Sequence, residues 1–318
     1  MPSTRLLSRS DEINSFVEGE VIVEDVIPHS KIGDGGNECI CSCTCSACPT
    51  LFEWCIKDAL GISCNFTTCC LFLYGQFVMI FVVLIPNNYS LANYIHFVLL
   101  HCLEFLALSS YYRTMFTNPG AVPLNDATPE KLRSYSHGTT VYRCTECQSV
   151  KPPRAHHCRI CQRCIKRMDH HCMFVNNCVG QNNQKYFILF TSYTCIISMY
   201  TLIILYYHLT NCVATNWTAC PAWSPPMTFV FVILLGLESF GFFIFTAVMT
   251  TIQFYCIYTD TTGIEFFKGK RRSSRSSMSF LCALKTVFGS RVGLQWLSPF
   301  SRPMNYITQN DEHITFDV

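Results

Sequence analysis

The sequence predicts an all-α membrane protein, in which four transmembrane helices are joined by a cytosolic cysteine-rich loop. Three observations lead to this fold class. Of the 318 residues, 50% are hydrophobic and only 14% are charged, four apolar stretches stand out, and seven of the 22 cysteines fall within one stretch of 35 residues. A soluble domain ordinarily carries about 25% charged residues. The net charge of +2 gives no overall field for a nucleic acid.

The apolar stretches are each close to the roughly 20 residues that a helix needs to cross the hydrocarbon core. The alternative for any one of them is a buried helix of a soluble core, but four such runs in one chain favour membrane spans. They cover residues 69–85, 91–112, 186–209 and 227–250.

The distribution of Lys and Arg predicts the orientation of these spans. The short loops 86–90 and 210–226 contain neither residue, whereas the central loop 113–185 contains eleven. Basic residues accumulate on the cytosolic side of membrane proteins. We therefore expect the central loop and both termini in the cytosol.

The two tails complete the predicted domain organisation. The N-terminal tail is rich in cysteine between residues 39 and 48, and we expect it to be disordered, with reduced or lipidated thiols; adventitious metal binding is the alternative. The basic run 268–277 is expected at anionic lipid headgroups or, alternatively, in a solvated linker. The predicted segments are 1–68, 69–112, 113–185, 186–250 and 251–318.

Residues 144–178 of the central loop contain repeated Cys-x2-Cys pairs and four histidines. Such pairs form knuckles whose sulfur atoms converge on a tetrahedral zinc ion. The pairs are Cys144 with Cys147, Cys158 with Cys161, and Cys161 with Cys164. The repetition of this spacing predicts two zinc ions in the loop.

Chain geometry restricts how the ligands divide between the two ions. His157 and Cys158 are adjacent, so we expect them to bind different ions. His157 and Cys164 can then join the first Cys pair. The pair Cys158 and Cys161 is left to draw on His170, His171, Cys172 and Cys178. Seven cysteines and four histidines exceed the eight ligands of two tetrahedral sites, and the spare groups suggest chemistry.

The complete pattern is C-x2-C-x9-HC-x2-C-x2-C-x4-DHHC-x5-C, placed between the second and third spans. It resembles the DHHC protein S-acyltransferases, and the resemblance covers about residues 69–300. "NPG" at 118–120, "TGIE" at 262–265 and the "WLSPF" sequence at 296–300 agree with this family and with its Golgi branch.

This resemblance implies a fatty acyltransferase with two structural zinc ions. One ion would be held by Cys144, Cys147, His157 and Cys164, and the other by Cys158, Cys161, His171 and Cys178. Cys172 would be the nucleophile, His170 its general base, and Asp169 the group that orients His170. The enzyme would transfer palmitoyl from palmitoyl-CoA, the acyl-CoA co-substrate, to cytosolic cysteines of membrane-associated proteins, by a ping-pong mechanism through acyl-Cys172.

Further residues are expected at the acyl-CoA site. Phe174 is expected to line the acyl cavity, and Ile197 to close it, because Ile197 lies about 17 Å into the third span at 1.5 Å per residue. Lys166, Arg167 and Lys185 are expected to contact the CoA phosphates, with ordinary anchoring at the cytosolic face as their alternative role.

Four positions depart from the usual family pattern, and none of them lies in the quartet 169–172. Met173 and Phe174 replace Pro-Trp, Asn118 replaces Asp, and Gly263 replaces Thr. The last change puts a hydroxyl contact to the active site in doubt. We nevertheless expect an active enzyme.

Alternative and additional expectations remain. A non-catalytic zinc scaffold or an ion transporter would use Glu104 and Glu238 as ion ligands, whereas the flanking spans argue against nucleic-acid binding.

Cys212 and Cys220 share one loop and can form a disulfide. The final residues "TFDV" predict a PDZ-domain partner, and the family branch predicts Golgi residence.

Overall fold

The structure is a computed structural model of the 318-residue chain. It describes the backbone of residues 13–18 and 21–26, and residues 54–84, 91–136, 139–220, 222–269 and 279–302.

In chain order the elements are β1 (Ile13–Glu18), β2 (Val21–Val26), α1 (Ala59–Val78, continued by a π-helical segment Met79–Leu84), α2 (Leu91–Phe116), α3 (Pro129–Arg133), β3 (Thr140–Cys144), β4 (Ser149–Val150), β5 (His156–Cys158), β6 (Arg163–Ile165), β7 (His170–Cys172), β8 (Asn177–Val179), α4 (Gln184–Ala214), α5 (Pro225–Tyr258), α6 (Gly263–Phe267) and α7 (Phe280–Phe288).

The four long helices confirm the four predicted spans. Including its π-helical end, α1 has 26 residues, and α2, α4 and α5 have 26, 31 and 34 residues, each apolar enough to cross a bilayer. Helix α4 is the central one. Of the residues in its most apolar stretch, 56% are buried, whereas only 17% are buried in the corresponding stretch of α2. Large apolar side chains such as Phe66, Leu73 and Leu237 are exposed on the outer faces, where a bilayer supplies their contacts.

Helix α1 begins at Ala59, ten residues before the predicted start of the first span. The early turns contain polar residues, so hydropathy did not mark them. Asp58 caps this end, since its carboxylate accepts a hydrogen bond of 2.7 Å from the Gly61 N–H. Asn176 of the loop donates to the carbonyl of Ile56 at 2.9 Å. The helix therefore begins before the predicted boundary at 68, and its first turns pack on the loop.

The central loop contains three consecutive β-hairpins, which are the exception to an all-α fold. They are β3–β4, β5–β6 and β7–β8. Each four-residue turn ends in a residue with left-handed backbone, at Gln148 (φ 50°), Gln162 (φ 52°) and Asn176 (φ 45°). The three hairpins therefore share one turn geometry.

The N-terminal tail contains two strands, although we expected disorder throughout residues 1–68. Strands β1 and β2 form a hairpin, and β2 runs parallel to β3 with Ile22 opposite Thr140, so that the sheet order is β1-β2-β3-β4. Runs of β-branched residues around Gly19 and Glu20 explain the strands. The cysteine-rich stretch 39–48, residues 270–277 of the basic run and the tail 303–318 lie outside the described residues.

Two asparagines attach the loop to the end of α2. Asn177 is fully buried, and its Nδ2 donates to the carbonyls of Thr114, Met115 and Thr117, each at 3.0 Å. Asn183 Nδ2 donates to the Thr114 carbonyl at 3.1 Å. The last carbonyls of a helix have no partner within the helix, so the loop supplies the missing donors.

At the C-terminal end of α4, Cys212 forms a disulfide with Cys220, as the sequence suggested.

Replacing Asn177 with Ala should destabilise the protein, because several buried carbonyls lose their donor. Each unsatisfied buried group costs about 1–3 kcal/mol, so we expect the free energy of unfolding to fall by at least that amount. Thermal denaturation of the detergent-solubilised protein measures it. Asn211→Ala, at an exposed position of α4, is the control; equal melting temperatures for both variants would contradict the attachment.

Candidate active site and zinc centres

The first cluster of ligand atoms connects two hairpins of the loop. It consists of Cys144, Cys147, His157 and Cys164, whose donor atoms all lie within 4.8 Å of one another. His157 Nδ1 is 3.7 Å from Cys144 Sγ and 3.2 Å from Cys147 Sγ. Three thiols and one imidazole are a typical donor set for a structural, tetrahedral zinc ion, so this cluster can hold one.

The second cluster has the same composition, with Cys158, Cys161, His171 and Cys178. His171 Nδ1 lies 3.6 Å from Cys158 Sγ, 3.4 Å from Cys161 Sγ and 3.6 Å from Cys178 Sγ. Hairpin β5–β6 contributes to both clusters, since His157 and Cys158 are adjacent but belong to different ones. The arrangement is interleaved, and it fits two zinc ions.

A 14-residue repeat, not recognised in the sequence analysis, explains how the clusters are built. The stretches "HHCRICQRCI" (156–165) and "HHCMFVNNCV" (170–179) align without a gap, and their hairpins have the same register. His157 corresponds to His171, and Cys164 to Cys178. All four of these residues are in the clusters.

The repeat differs at the position that would complete a third knuckle. Cys172 corresponds to the ligand Cys158, but Val175 stands where the first copy has Cys161. Among the described residues, Cys172 is in neither cluster. It is only 8% exposed and packs in an apolar group with Tyr111, Phe187 and other residues at the ends of α2 and α4.

Asp169 is buried and accepts hydrogen bonds from three directions. His170 Nδ1 and Gln253 Nε2 each lie 2.7 Å from its Oδ2, and the Gly263 N–H lies 2.5 Å from its Oδ1. Burial alone would raise the pKa of the Asp169 carboxyl, but these donors hold its pKa below the ordinary value. Asp169 therefore remains an anion, in a position fixed by α5 and α6.

His170 lies between Asp169 and Cys172. Burial lowers the pKa of His170, yet hydrogen bonds to Asp169 and to the Cys172 thiol outweigh this effect and raise the pKa to about 10. Its ring also packs edge-on against Phe187, with 5.2 Å between ring centroids. The imidazole is thus placed to receive a proton from the thiol.

An ion-pair group, which we call the arginine corner, joins the loop to the segment after α5. Arg154 bonds both carboxylate oxygens of Glu265, at 2.8 and 2.7 Å, and Asp260 Oδ1 at 3.1 Å. Arg167 is 3.0 Å from the same Asp260 oxygen. Burial would raise the pKa values of Asp260 and Glu265, but the guanidinium groups lower them. The corner holds α6 beside Asp169.

The structure changes the interpretation of two of the three basic residues expected at the CoA phosphates. Lys185 is 1% exposed, and its ammonium donates to the carbonyl of Gln295 at 2.8 Å and to Ser301 Oγ at 2.6 Å. The charge of Lys185 is thus enclosed and already paired with oxygen atoms, and its expected contact with the CoA phosphates stays a prediction. Arg167 is engaged in the arginine corner. Lys166 is half-buried on the loop surface, and its contact with CoA stays a prediction.

A cavity opens among the four long helices. Its volume is about 480 Å³ including its open mouth, and Phe72, Ile197, Glu104 and Glu238 are among the lining residues. Phe72 also packs against the apolar group around Cys172. The cavity and Cys172 therefore share one wall.

The expected cavity residues lie at different depths. Ile197 is 9% exposed and lines the cavity directly. Phe174 lies on the turn of the third hairpin, where its ring is 5.3 Å from that of Phe245 and its carbonyl accepts a 2.8 Å hydrogen bond from Tyr111. Phe174 thus lies at the end of the bundle that carries Cys172.

Comparison with known proteins agrees with this geometry. The profile of the DHHC palmitoyltransferase family matches residues 139–270. Palmitoyltransferase ZDHHC3 of Homo sapiens is 46% identical over 252 residues, which are 79% of this chain and 84% of that protein. Palmitoyltransferase ZDHHC7 of Mus musculus is 40% identical over 249 residues, 78% of this chain and 80% of that protein. The chain belongs to the DHHC palmitoyltransferase family.

Two departures from the usual DHHC pattern are explained by local contacts. Asn118 Oδ1 accepts hydrogen bonds from the backbone N–H groups of Gly120 at 3.0 Å and Ala121 at 2.8 Å, so the amide stabilises the turn without a charge. At Gly263, a Cβ atom would lie 2.6 Å from Asp169 Oδ1. The Gly263 N–H donates to this same oxygen, and the absence of a side chain lets the backbone come this close.

Several functional contacts were not predicted. Gln253 lies three residues beyond the predicted end of the fourth span, and it also accepts a 3.1 Å hydrogen bond from Gln184 Nε2. The only sign of this contact in the sequence was a polar residue in the last turns of an apolar helix. The arginine corner had no local signal, because Arg154 and Glu265 are 111 residues apart.

Gly263→Ala should reduce acyl transfer while leaving zinc content unchanged, because the new methyl group displaces the Asp169 carboxylate and hence His170. A displacement of about 1 Å in a catalytic group can cost about 100-fold in rate, and we expect a loss of 10- to 100-fold. Rates are measured with labelled palmitoyl-CoA. Gly236→Ala is the control, since a Cβ there meets nothing within 4 Å; an unchanged rate in Gly263→Ala would show that Asp169 tolerates the shift.

Proposed function

We propose that the chain is a protein S-palmitoyltransferase in which Cys172 carries the acyl group between palmitoyl-CoA and protein thiols. Protein S-palmitoylation is the activity of its family, to which the relatives named above belong by their names. The observation that carries the assignment to Cys172 is its position. Cys172 is the cysteine of the hairpin repeat that belongs to neither ligand cluster. It lies beside His170 and the intramembrane cavity.

The first half-reaction acylates the enzyme. His170 accepts the proton of the Cys172 thiol, and the thiolate attacks the carbonyl carbon of the thioester. The bond from carbon to the CoA sulfur breaks, and the departing thiolate takes the proton from His170. One thioester replaces another, so the net change in free energy is small. A free cysteine is mostly protonated near neutral pH, and the imidazole generates the reactive thiolate by removing this proton.

The second half-reaction repeats these steps with a substrate cysteine as the attacking group. His170 takes the proton of the substrate thiol and returns it to Cys172 when the acyl group leaves. Asp169 acts by holding His170 through Nδ1, with Gln253 and Gly263 fixing the carboxylate from the far side. Gln253 is thus a positioning residue.

Zinc would hold the shape of the loop in this reaction. Each cluster offers four protein ligands, which is typical of closed structural sites, whereas catalytic zinc sites keep one position open. The scaffold and transporter alternatives are not favoured. Glu104 accepts a hydrogen bond from Gln76 and lines the same cavity as Glu238, which suits an acyl pocket with a polar inner end.

The membrane location belongs to the mechanism. Four spanning helices make the chain a multi-pass membrane protein. Each methylene removed from water contributes about 0.8 kcal/mol, so the acyl chain favours the cavity while its thioester remains near Cys172. We further propose that both termini and the zinc loop face the cytosol and that the protein resides in the Golgi, as the basic residues and the family branch suggest. The PDZ-domain partner predicted from residues 315–318 lies outside the described residues and stays a prediction.

Labelled palmitoyl-CoA tests the assignment of the nucleophile. Cys172→Ser should abolish both self-acylation and transfer, with zinc content equal to that of the wild type, because the hydroxyl is a poor nucleophile and Cys172 is no ligand. Cys178→Ala should lower zinc content as well. His170→Ala should retain zinc and slow the reaction. Loss of zinc in Cys172→Ser would mean that a ligand has been mistaken for the nucleophile.

Chain-length preference tests the role of Ile197. The bulky side chain should limit the depth of the cavity, and overpacking by a longer chain typically costs 1–3 kcal/mol. We expect the wild type to prefer palmitoyl over stearoyl donors, and Ile197→Gly to raise stearoyl transfer relative to palmitoyl.

Ile196→Gly is a matched control for this experiment, because Ile196 is the adjacent residue of α4 but is 51% exposed on the outer face. The two variants carry the same cost in helix propensity. Competition between the two donors measures the ratio directly. Equal ratios in both variants would place the limit of the cavity elsewhere.

A further inference from the structure

The end of α4 that lies away from the zinc loop contains a third group of metal-ligating side chains, which the transfer reaction does not use. It consists of His208, Cys212 and Cys220, whose donor atoms lie within 4.8 Å of one another. Cys212 is 28 residues after the start of α4 at Gln184, so about 42 Å of helix separates the group from the loop at 1.5 Å per residue. The two regions are thus on opposite sides of the bilayer.

Local geometry brings the three residues together. His208 and Cys212 are four residues apart and therefore share a helix face, with 3.5 Å between His208 Nε2 and Cys212 Sγ. The turns that follow α4 return the chain so that Cys220 forms the disulfide with Cys212. The imidazole therefore lies directly beside a disulfide.

His208 is an unusual neighbour for that disulfide. The exposed fractions of His208, Cys212 and Cys220 are 4%, 0% and 4%. His208 Nδ1 is buried without a hydrogen-bond partner among the described residues. A buried polar atom without a partner is destabilising, so packing alone does not explain a histidine at this position. A ligand role accounts for both its burial and the direction of its Nε2 atom.

We propose that His208, Cys212 and Cys220 form a redox-dependent metal site. In the oxidised state the two sulfur atoms bond to each other and the site holds no ion. In the reduced state they bind a zinc-class divalent ion together with the His208 imidazole. The proposal does not depend on the transferase activity.

The change between the two states begins with reduction of the disulfide. A dithiol reductant breaks the bond between Cys212 and Cys220, becomes a disulfide itself and leaves two thiols. On metal binding each thiol releases one proton to solvent. Two thiolates, a neutral imidazole and a divalent cation have no net charge, which lowers the cost of burying them. Thiolate and imidazole together suit Zn²⁺, and a fourth position remains for water.

Metal counting on the full chain in detergent micelles tests this site. The oxidised protein and a sample reduced with a dithiol are exposed to Zn²⁺, freed of excess metal and analysed. We expect the two ions of the loop clusters in the oxidised sample and one more in the reduced sample. Reduced His208→Ala and reduced Cys212→Ser should lose the additional ion. Cys195→Ser, at a half-buried free cysteine of the same helix, should keep it.

A second measurement needs no variant and so does not depend on how a variant folds. In the reduced wild type, Zn²⁺ should slow the labelling of Cys212 and Cys220 by a maleimide at least tenfold, as read by peptide mass spectrometry. An equal metal count in both redox states, an additional ion that persists in His208→Ala, or unchanged labelling rates would each overturn the proposal.

Discussion

The enclosed carboxylate of Asp169 is the constraint on which the arrangement of the active site depends. A buried charge is costly unless donors surround it, and the donors here come from three places: the next residue, α5 and α6. The long helix α5 must therefore extend past the membrane span to bring Gln253 to the loop. The arginine corner has the same effect on α6, because Arg154 holds Glu265 and Asp260.

The hairpin repeat explains why structural and reactive cysteines lie so close together. Each hairpin presents its first cysteine at the same point of the turn, and the partner three residues later completes a zinc knuckle in two hairpins. In the third, Val175 occupies that place. Cys172 consequently keeps the position of a ligand while its sulfur is left for chemistry. The four spans then supply a cavity, and Phe72 belongs both to its wall and to the apolar group around Cys172.

Much of this could be predicted from the sequence, because the relevant signals are local. Hydropathy located the four spans, and cysteine spacing together with the family resemblance located eight ligands that the structure groups as expected. Contacts between distant segments could not be predicted. The charge of Lys185 gave no sign that Ser301 would enclose it, and the polar residues before 69 concealed the early start of α1. The β-hairpins were missed because their strands are too short for a periodic pattern.

The ligands His171 and Cys178 lie opposite each other in the hairpin β7–β8, on either side of Cys172 and the turn that follows it, and both belong to the second cluster. A single ion would therefore fix both ends of the segment that carries the nucleophile, and His170 directly precedes that segment. Folding and metal binding are coupled in small sites of this kind. Loss of this ion would therefore slow the reaction by changing the shape of one hairpin, without any part for the metal in bond making.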